Sequence, residues 1–319
     1  MSDWRSKATL NVLKKRAELL RQLRSFFFER DVLEVDTPLL CQHGVTDRHI
    51  ENLSTRDSQH NLRYLQTSPE YAMKRLLAQY GHSLYQLSHV VRDDPVGRHH
   101  NPEFMMLEWY RVGFDDDQLI AEIDELLMTV ADAPPLVKLT YQDAFLQHMQ
   151  CDPLTPAGIK AIHQRLKDDE RTKDWMASES DVDTILQVAF NLYVEPQLSL
   201  SQPTAITHFP ASQAALAQID SKNPSVARRF EIYWEGIELA NGYYELSDSV
   251  EQSLRFNKDI AARERAQLPY RAADCFLIAA LEHGLPPCAG VAMGFDRLLM
   301  IKTKETSIER VIPFSYTSA

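Results

Sequence analysis

The sequence predicts an α+β fold in which a mixed, mainly antiparallel sheet is flanked by helices. Apolar residues recur at helical spacing between Leu10 and Phe28, which predicts a long amphipathic helix. Two alternating apolar segments, at 84–91 and 106–110, enclose a polar loop and predict a hairpin. Along the rest of the chain the predicted strands and helices do not alternate regularly, which argues against a parallel α/β sheet.

The composition limits the classes of protein to which the chain can belong. Its 319 residues, 44% of them hydrophobic, can bury one large core or two modest ones. A net charge of −11 disfavours a main task of binding a nucleic-acid backbone, since such proteins are usually basic. No run of roughly 18 apolar residues predicts a membrane span, and the first seven residues lack the apolar core of a signal peptide. Four scattered cysteines predict reduced thiols, so we expect a cytoplasmic protein.

The remaining elements follow from local patterns. Residues 31–40 predict a strand that a proline interrupts, as at the edge of a sheet. Ser68 is the predicted N-cap of the next helix, with Pro69 at its first position, Glu70 in its first turn and Gly81 at its end. The other predictions, in order, are a strand at 62–67, a helix at 119–130, a mostly helical insertion at about 141–200, strands at 204–209, 230–234 and 237–244, helices at 249–265 and 273–283, a strand at 289–294 and a helix from 295.

Two segments carry arginines that suit phosphate or carboxylate binding. The hairpin loop at 92–104 holds two arginines, two histidines and three carboxylates. A planar guanidinium donates paired hydrogen bonds to such anions, although an isolated polar loop is more often only a solvated surface. In the segment 289–297 small residues lead into a helix, and glycine permits the close approach of a ligand beside Arg297. The alternative there is a tightly packed strand with an ion-paired arginine.

A third segment, at 235–246, carries two glutamates that suit cation binding. Glu238 and Glu245 are seven residues apart, so they would face opposite ways in a regular strand. A bulge at Asn241-Gly242 could change this parity and turn both carboxylates toward one cleft. Carboxylates bind Mg²⁺ or a substrate ammonium. The alternative is a pair of exposed glutamates on an edge strand.

Taken in order, these segments resemble the three motifs of the class II aminoacyl-tRNA synthetases, over nearly the whole chain. Residues 26–40 are similar to motif 1, which forms the dimer interface, residues 91–110 to motif 2, and residues 290–297 to motif 3. The resemblance implies a single synthetase-like catalytic domain over 1–319, with ATP and Mg²⁺ as cofactors, and a homodimer.

The resemblance also implies roles for individual residues. Arg92 would bridge the substrate carboxylate and the α-phosphate of ATP, Arg297 would bind the γ-phosphate, and Phe104 would stack on adenine. Segments 67–70, 100–104, 107–110 and 238–245 are similar to the lysyl branch, in which acidic residues receive the amines of lysine. The implied substrate-binding residues are Ser68, Pro69, Glu70, Glu108, Tyr110, Asn241, Glu245 and Ala292. The implied ATP-binding residues are Arg92, Asp93, Asp94, His100, Asn101, Phe104, Glu238, Leu239, Gly294 and Arg297, of which Arg92 and Arg297 are catalytic, with Glu238 and Glu245 as metal ligands.

The sequence before the first helix is too short for the anticodon-binding barrel of lysyl-tRNA synthetases, so we expect no such domain and no stable tRNA binding. The lysyl branch includes a stand-alone paralogue that activates (R)-β-lysine as an adenylate and transfers it to a lysine side chain of elongation factor P. The resemblance implies the same activity and partner here. Ala292 agrees, because the paralogue has alanine where the synthetases have glycine, and one methyl group can shift preference between substrates by ~1–3 kcal/mol.

Alternatives stay open at this point. Asp93-Asp94 replaces the Asn-Glu that follows the motif 2 arginine in the family, and Asp94 has a shorter reach than glutamate. The chain could be a shortened lysyl-tRNA synthetase that acts on tRNA or makes dinucleotides. It could also be a non-catalytic regulatory paralogue, which the presence of the arginines and glutamates disfavours. An asparagine-forming relative of the aspartyl branch is disfavoured by the acidic pocket.

Overall fold

The computed structural model describes residues 4–319. Residues 1–3, which belong to the segment predicted to lack a signal peptide, lie outside the described residues. The predicted α+β class is confirmed, because helices and mixed sheets form together along the chain. In the part of the chain that the structure describes, no helix is both long enough and apolar enough to cross a bilayer.

The elements of residues 4–319 have the following bounds. The α-helices are α1 (Leu10–Phe28), α2 (Glu70–Tyr80), α3 (Asp116–Ala131), α4 (Tyr141–Met149), α5 (Pro156–Asp168), α6 (Lys173–Met176), α7 (Val182–Ala189), α8 (Ser249–Arg265), α9 (Cys275–His283) and α10 (Phe295–Thr303). The strands are β1 (Leu33–Glu34), β2 (Leu40–Cys41), β3 (Ser54–Arg56), β4 (Leu62–Leu65), β5 (Leu84–Val91), β6 (Glu103–Val112), β7 (Val137–Thr140), β8 (Thr204–Thr207), β9 (Arg229–Trp234), β10 (Ile237–Tyr244) and β11 (Cys288–Gly294).

The chain forms two compact units. The first comprises Met1–Asp132 and Glu245–Ala319, and the second comprises Ala133–Tyr244. The prediction of one catalytic domain over the whole chain stays a prediction.

The hairpin predicted around the polar loop forms the middle of the sheet in the first unit. β5 and β6 pair antiparallel from Leu84 opposite Tyr110 to Val91 opposite Glu103. β11 runs antiparallel along the other edge of β6, and β1 pairs parallel with β5. The predicted helix α1 buries its apolar face here, and the ring of Phe27 stacks on that of Tyr85 with centroids 4.4 Å apart. The hairpin therefore has packed neighbours on both edges, which fixes where its loop begins and ends.

Two local predictions in the first unit were wrong in detail. Residues 31–40 form two separate two-residue strands, because β2 leaves the main sheet and joins an antiparallel sheet with β4 and β3. Helix α2 begins at Glu70, so Pro69 occupies the N-cap position and its side chain makes no capping bond. The Ser68 hydroxyl still accepts a hydrogen bond from the Glu70 N–H at 3.0 Å, as a capping residue does. Gly81 ends the helix in the left-handed conformation, as predicted.

The second unit joins a helical region to its own strands. Helices α4 to α7 and a π-helical turn at Phe190–Val194 confirm the helical character predicted for this region. The strands follow in the order β10, β9, β8, β7. β9 and β10 form a hairpin whose two turn residues, Glu235 and Gly236, both have positive φ, as a tight hairpin turn requires. The aromatic rings of Tyr141, Phe190 and Phe209 pack between the helices and this sheet.

Candidate active site

Three carboxylates and one ammonium are buried together in the first unit. We call this group the acidic cluster, and its members are Glu70, Lys74, Glu108 and Glu245. Glu70 and Lys74 lie on successive turns of α2, whereas Glu108 lies on β6. The Lys74 Nζ is 2.7 Å from Glu70 Oε1 and 2.5 Å from Glu245 Oε2. Three of the four predicted amine-binding residues, namely Glu70, Glu108 and Glu245, therefore share one site, and the fourth, Tyr110, borders it.

Glu108 is held by two neighbouring hydroxyl groups. The Ser68 hydroxyl donates to Glu108 Oε2 and the Tyr110 hydroxyl donates to Glu108 Oε1, each at 2.6 Å. Only 2% of Glu108 is exposed. Burial, together with the nearby Glu70 carboxylate, raises the pKa of Glu108 to about 7, although the hydrogen bonds and Lys74 oppose this rise. Glu108 therefore changes charge near neutral pH.

Glu245 is a second carboxylate of the cluster that is almost completely buried. Its side chain is 1% exposed, and its backbone N–H donates to the Cys288 carbonyl at 3.0 Å. Burial raises the pKa of Glu245 to about 8, with Lys74 opposing the rise and Glu70 adding to it. A Cβ on Gly290 would lie 2.5 Å from Glu245 Oε1 and would overlap the ring of Tyr110. The glycine is required because these two side chains occupy the space beside it.

Ala292 lies on the wall of the same site. It is directly opposite Glu108 in the antiparallel pairing of β11 with β6. Directly opposed residues project from the same face of a sheet with their Cβ atoms about 4.5–5.5 Å apart. The structure therefore brings the Ala292 methyl group beside the carboxylate that is predicted to meet one of the substrate amines.

Arg92 begins the loop that follows β5. Its Nε donates to the Thr67 carbonyl at 3.2 Å, and its backbone N–H donates to the Pro102 carbonyl at 2.9 Å. The guanidinium carbon lies 5.3 Å from the centroid of the Phe104 ring. Arg92 is thus held close to the segment that leads into α2, and it stacks on the ring that is predicted to meet adenine.

Arg297 contacts the same loop from the first turn of α10. Its Nη2 lies 2.9 Å from His100 Nε2, and its Nε donates to the His99 carbonyl at 3.4 Å. A Cβ on Gly294 would lie 3.2 Å from the Arg297 side chain, so the glycine leaves room for it. The alternative for this segment was a packed strand with an ion-paired arginine. The neighbouring residue, Asp296, does form an ion pair, in which its Oδ1 is 2.5 Å from Arg16 Nη1.

The loop itself is fixed at several points. Asn101 is buried; its amide donates to the Glu103 carbonyl at 2.5 Å, and its oxygen accepts from the Tyr316 N–H at 3.0 Å. The Asp93 N–H donates to the Glu51 carbonyl at 2.9 Å, and the Asp93 side chain is exposed, whereas Asp94 is half-buried. In this structure Asn101 therefore connects the loop to the C-terminal segment. The ATP contacts proposed for these three residues stay predictions.

The remaining predicted residues, Glu238, Leu239 and Asn241, lie on β10 in the second unit. The strand does contain a bulge, but its location was predicted wrongly. The register shifts between Glu238 and Ala240, so the extra residue is Leu239 and not the pair Asn241-Gly242. Gly242 pairs regularly with Phe230, whose ring fills the space that a side chain at Gly242 would take. Glycine is needed there for packing and not for a turn.

A further carboxylate, Glu231, lies on the same face of the hairpin as Glu238. Glu238 lies opposite Tyr233, and Asn241 lies opposite Glu231, so these four side chains share one face of the hairpin. Glu231 forms an ion pair with Arg229 and accepts a hydrogen bond from the Tyr233 hydroxyl. Burial raises the pKa of Glu231, and the charge on Glu238 adds to this effect. Two carboxylates near each other are a suitable pair of ligands for Mg²⁺, which usually takes one or two carboxylates together with substrate phosphates.

Among the described residues no group of three or more His, Cys, Asp or Glu side chains is arranged to hold a metal ion. The pair Glu231 and Glu238 offers two carboxylates, which suits an ion that shares its coordination with a phosphate ligand.

Two residues of these sites were not predicted from the sequence. Lys74 follows Glu70 by four residues, so a helical wheel would have placed both on one face. Glu231 lies seven residues before Glu238 across a two-residue turn, and the hairpin register places Glu238 opposite Tyr233, two residues from Glu231 and on the same face. The spacing on one helical face was visible in the sequence, whereas the shared face of the two hairpin glutamates could be seen only from the strand register.

Comparison with known proteins places the chain in a family. The family model for class II tRNA synthetases (D, K and N) matches residues 1–318. The chain belongs to this family.

Within the family, the chain is similar to one kind of protein. A relative from Pseudoalteromonas translucida is 47% identical over 99% of this chain and 98% of its own length. Relatives from Klebsiella pneumoniae subsp. pneumoniae and Mannheimia succiniciproducens are 46% and 45% identical over at least 98% of both chains. Each of these three relatives is named elongation factor P–(R)-β-lysine ligase.

Proposed function

We propose that this protein is an ATP-dependent ligase that activates (R)-β-lysine as an adenylate and transfers it to a lysine side chain of elongation factor P. The observation that carries the proposal is the acidic cluster, in a chain whose full-length relatives bear the name of that ligase. Buried carboxylates suit a substrate with two ammonium groups and repel acidic amino acids. We also propose that the enzyme works in the cytoplasm as a homodimer.

The first step joins the amino acid to AMP. A carboxylate oxygen of the amino acid attacks the α-phosphorus of ATP, the bond to the bridging oxygen breaks, and pyrophosphate leaves. No side chain has to act as the nucleophile, so positioning and charge neutralisation supply the rate enhancement. Arg92 is proposed to bridge the carboxylate and the α-phosphate, and Arg297 to bind the γ-phosphate. Both already contact the loop at 92–104.

The nucleotide is proposed to bind together with Mg²⁺. Glu231 and Glu238 would hold the ion, and its charge would neutralise the phosphate oxygens. Glu245, which the resemblance pairs with Glu238, contacts Lys74 at 2.5 Å and is proposed to act with the substrate-binding carboxylates. Phe104 is proposed to stack on the adenine ring.

The second step transfers the acyl group. The ε-amine of the target lysine attacks the acyl carbon of the adenylate, an amide bond forms, AMP leaves, and the amine gives up a proton. The product is a post-translational modification of a translation factor. The relatives' name supplies the identity of the acceptor, so transfer has to be tested separately from activation.

Two measurements test the proposal. Amino-acid-dependent exchange of labelled pyrophosphate into ATP is measured with (R)-β-lysine, (S)-β-lysine, L-lysine and L-aspartate. We expect (R)-β-lysine to be the best substrate and aspartate to be inactive. Mass spectrometry of purified elongation factor P, after incubation with enzyme, ATP and (R)-β-lysine, should show one added β-lysyl group.

The controls separate the steps. Arg297→Ala should abolish exchange by weakening ATP binding, whereas Arg310→Ala, which changes an exposed arginine near the C-terminus, should not. Exchange without transfer to elongation factor P would reject the acceptor, and charging of tRNA would favour a shortened lysyl-tRNA synthetase. No exchange with any of the amino acids would reject the proposal altogether.

A further inference from the structure

A buried lysine lies inside the site that is proposed to bind a cationic substrate. The Lys74 side chain is 1% exposed, and its ammonium bridges Glu70 and Glu245. An internal cation of this kind competes with the substrate for the same carboxylates, so its presence needs an explanation. This inference rests on the proposed function and deepens it.

The charges of the acidic cluster suggest that explanation. The ionised carboxylates of Glu70, Glu108 and Glu245 carry three negative charges, and Lys74 carries one positive charge, which leaves two negative charges. (R)-β-Lysine and lysine each bring two ammonium groups. With Lys74 in place, the cluster and the two substrate amines balance without a proton or a further ion.

The geometry gives Lys74 a second effect. The Lys74 ammonium contacts Oε1 of Glu70 and Oε2 of Glu245, and these two carboxylates come from different parts of the first unit. Its own position is set by α2, since Glu70 and Lys74 are four residues apart on one helical face. One ammonium therefore fixes the orientation of both carboxylates relative to the helix.

The groups that face Lys74 keep it charged. Burial by itself lowers the pKa of Lys74, but Glu245 and Glu70 outweigh this effect and raise it above its ordinary value. Around the cluster, β6 contributes Glu108 and Tyr110, and β11 contributes the Cys288 thiol. Lys74 lowers the pKa of both Glu108 and Glu245, against the effect of burial.

We propose that Lys74 is a positioning residue that fixes the carboxylates of Glu70 and Glu245 and sets the charge of the pocket to match a substrate with two ammonium groups. A lysine that only stabilised the packing of α2 would have the same contacts. The two roles differ in their effect on proton binding by the pocket, and the experiment depends on this difference.

The experiment compares three single variants with the unaltered protein. Lys74→Met removes the charge and keeps the length of the side chain, and Lys74→Arg keeps the charge. Lys302→Met is the matched control, because Lys302 is a partly buried lysine of α10 whose Nζ donates to the Val130 carbonyl and not to a carboxylate. For each protein the KM for (R)-β-lysine and the KM for ATP are measured by pyrophosphate exchange between pH 6 and pH 9.

In the Lys74→Met variant Glu108 and Glu245 lack the cation that lowers their pKa values, so they hold a proton to higher pH. We expect the midpoint of the pH dependence of the KM for (R)-β-lysine to rise by about one unit, and this KM to rise about tenfold at pH 7. The KM for ATP should not change. Lys74→Arg and Lys302→Met should keep the midpoint of the unaltered protein.

An unshifted midpoint in Lys74→Met would overturn the inference, whatever the size of the change in KM. The same shift in Lys74→Arg would overturn it too, because the charge would then not be the cause. Pyrophosphate exchange by the unaltered protein tests the proposed function separately, because that function predicts activity before any substitution is made. If the unaltered protein is active, these two outcomes overturn only the inference about Lys74.

A second measurement covers the case in which Lys74→Met does not fold. Calorimetric titration of the unaltered protein with (R)-β-lysine at pH 8.5, in buffers of different ionisation enthalpy, counts the protons released on binding. If Lys74 stays charged, we expect release of less than roughly half a proton, which comes from Glu245. Release of a full proton or more would mean that Lys74 is discharged when the substrate binds, and the inference would be wrong.

Discussion

At the scale of single residues, the site is defined by carboxyl groups whose pKa values are raised by burial. Glu108 and Glu245 are almost completely buried, and their pKa values of about 7 and about 8 lie well above that of an exposed glutamate. The ionised form of such a group is strongly stabilised when a cation takes the place of the proton that the group would otherwise hold. The proposed affinity for a diamine and the sensitivity to pH would therefore have the same cause in this pocket.

The pKa values lead to a prediction for the unaltered enzyme. Below pH 7 both carboxyl groups are mainly protonated, and each must release its proton before it can pair with a substrate ammonium. The KM for (R)-β-lysine should therefore fall as the pH rises from 6 to 8, by roughly a hundredfold or more, and become nearly constant above about pH 8.5. Glu108→Gln should remove the lower step of this profile. A KM that is the same at pH 6 and pH 8.5 would contradict the assignment of these carboxylates to the pocket.

Ala292 gives a prediction about the choice between the two amines. Its methyl group lies opposite Glu108, so its removal makes space beside the carboxylate that is proposed to orient an amine. Ala292→Gly should raise the ratio of exchange with lysine to exchange with (R)-β-lysine by about tenfold, the usual effect of one methyl group in a pocket. Ala289→Gly, on the same strand but opposite Arg111, is the control and should leave the ratio unchanged. An unchanged ratio in Ala292→Gly would make Ala292 a packing residue.

At the scale of elements, the register of one hairpin decides which carboxylates meet. The turn places Glu238 opposite Tyr233, two residues from Glu231 and on the same face of β9. The bulge at Leu239 follows Glu238 and turns Asn241 to that face as well. The tight turn at Glu235 and Gly236 fixes the register in which this bulge occurs. The β9–β10 hairpin thus assembles its pair of carboxylates by backbone geometry.

This pairing leads to a prediction about magnesium. Glu231→Gln and Glu238→Gln should each raise the Mg²⁺ concentration required for half-maximal pyrophosphate exchange, by about tenfold or more, since each removes a charged oxygen ligand. Glu235→Gln changes a glutamate in the turn of the same hairpin and serves as the control. If Glu238→Gln alone changes the Mg²⁺ requirement, Glu231 is a partner of Arg229 and not a metal ligand.

At the scale of the whole molecule, large apolar side chains are exposed where motif 1 lies. Phe28 at the end of α1 is 84% exposed, Leu33 is 53% exposed and Leu40 is 52% exposed. Large apolar side chains exposed to this extent are candidates for contact with another protein. Their position in the segment similar to motif 1 supports the proposed homodimer.

The corresponding prediction concerns the state of association. Phe28→Glu introduces a charge into this surface, so the sedimentation coefficient should fall from that of a dimer to that of a monomer. Leu254→Glu is the matched control, because Leu254 is 58% exposed on α8 and lies outside the motif 1 segment. A monomer in the unaltered protein at micromolar concentration would contradict the proposal.

Most of the regular elements could be predicted because their signals are local. The bounds of α1, α8 and β10 agree with the apolar periodicity, and the loop between β5 and β6 lies where the charged residues are concentrated. The short strands β3 and β7 were not predicted, since three or four residues carry too little periodicity. The start of α2 was misplaced by one residue, because serine can accept a capping bond from more than one position.

The sequence by itself determined the amphipathic elements, the order of the three motifs and the identities of the two arginines and the glutamates, because each depends on residue types at short spacing. Only the tertiary structure decided that Lys74 bridges two of those glutamates and that Glu231 joins Glu238. Both facts depend on register and on burial. A shift of one residue in a strand reverses the direction of every side chain, and the pKa of a carboxyl group is set by neighbours that are distant along the chain.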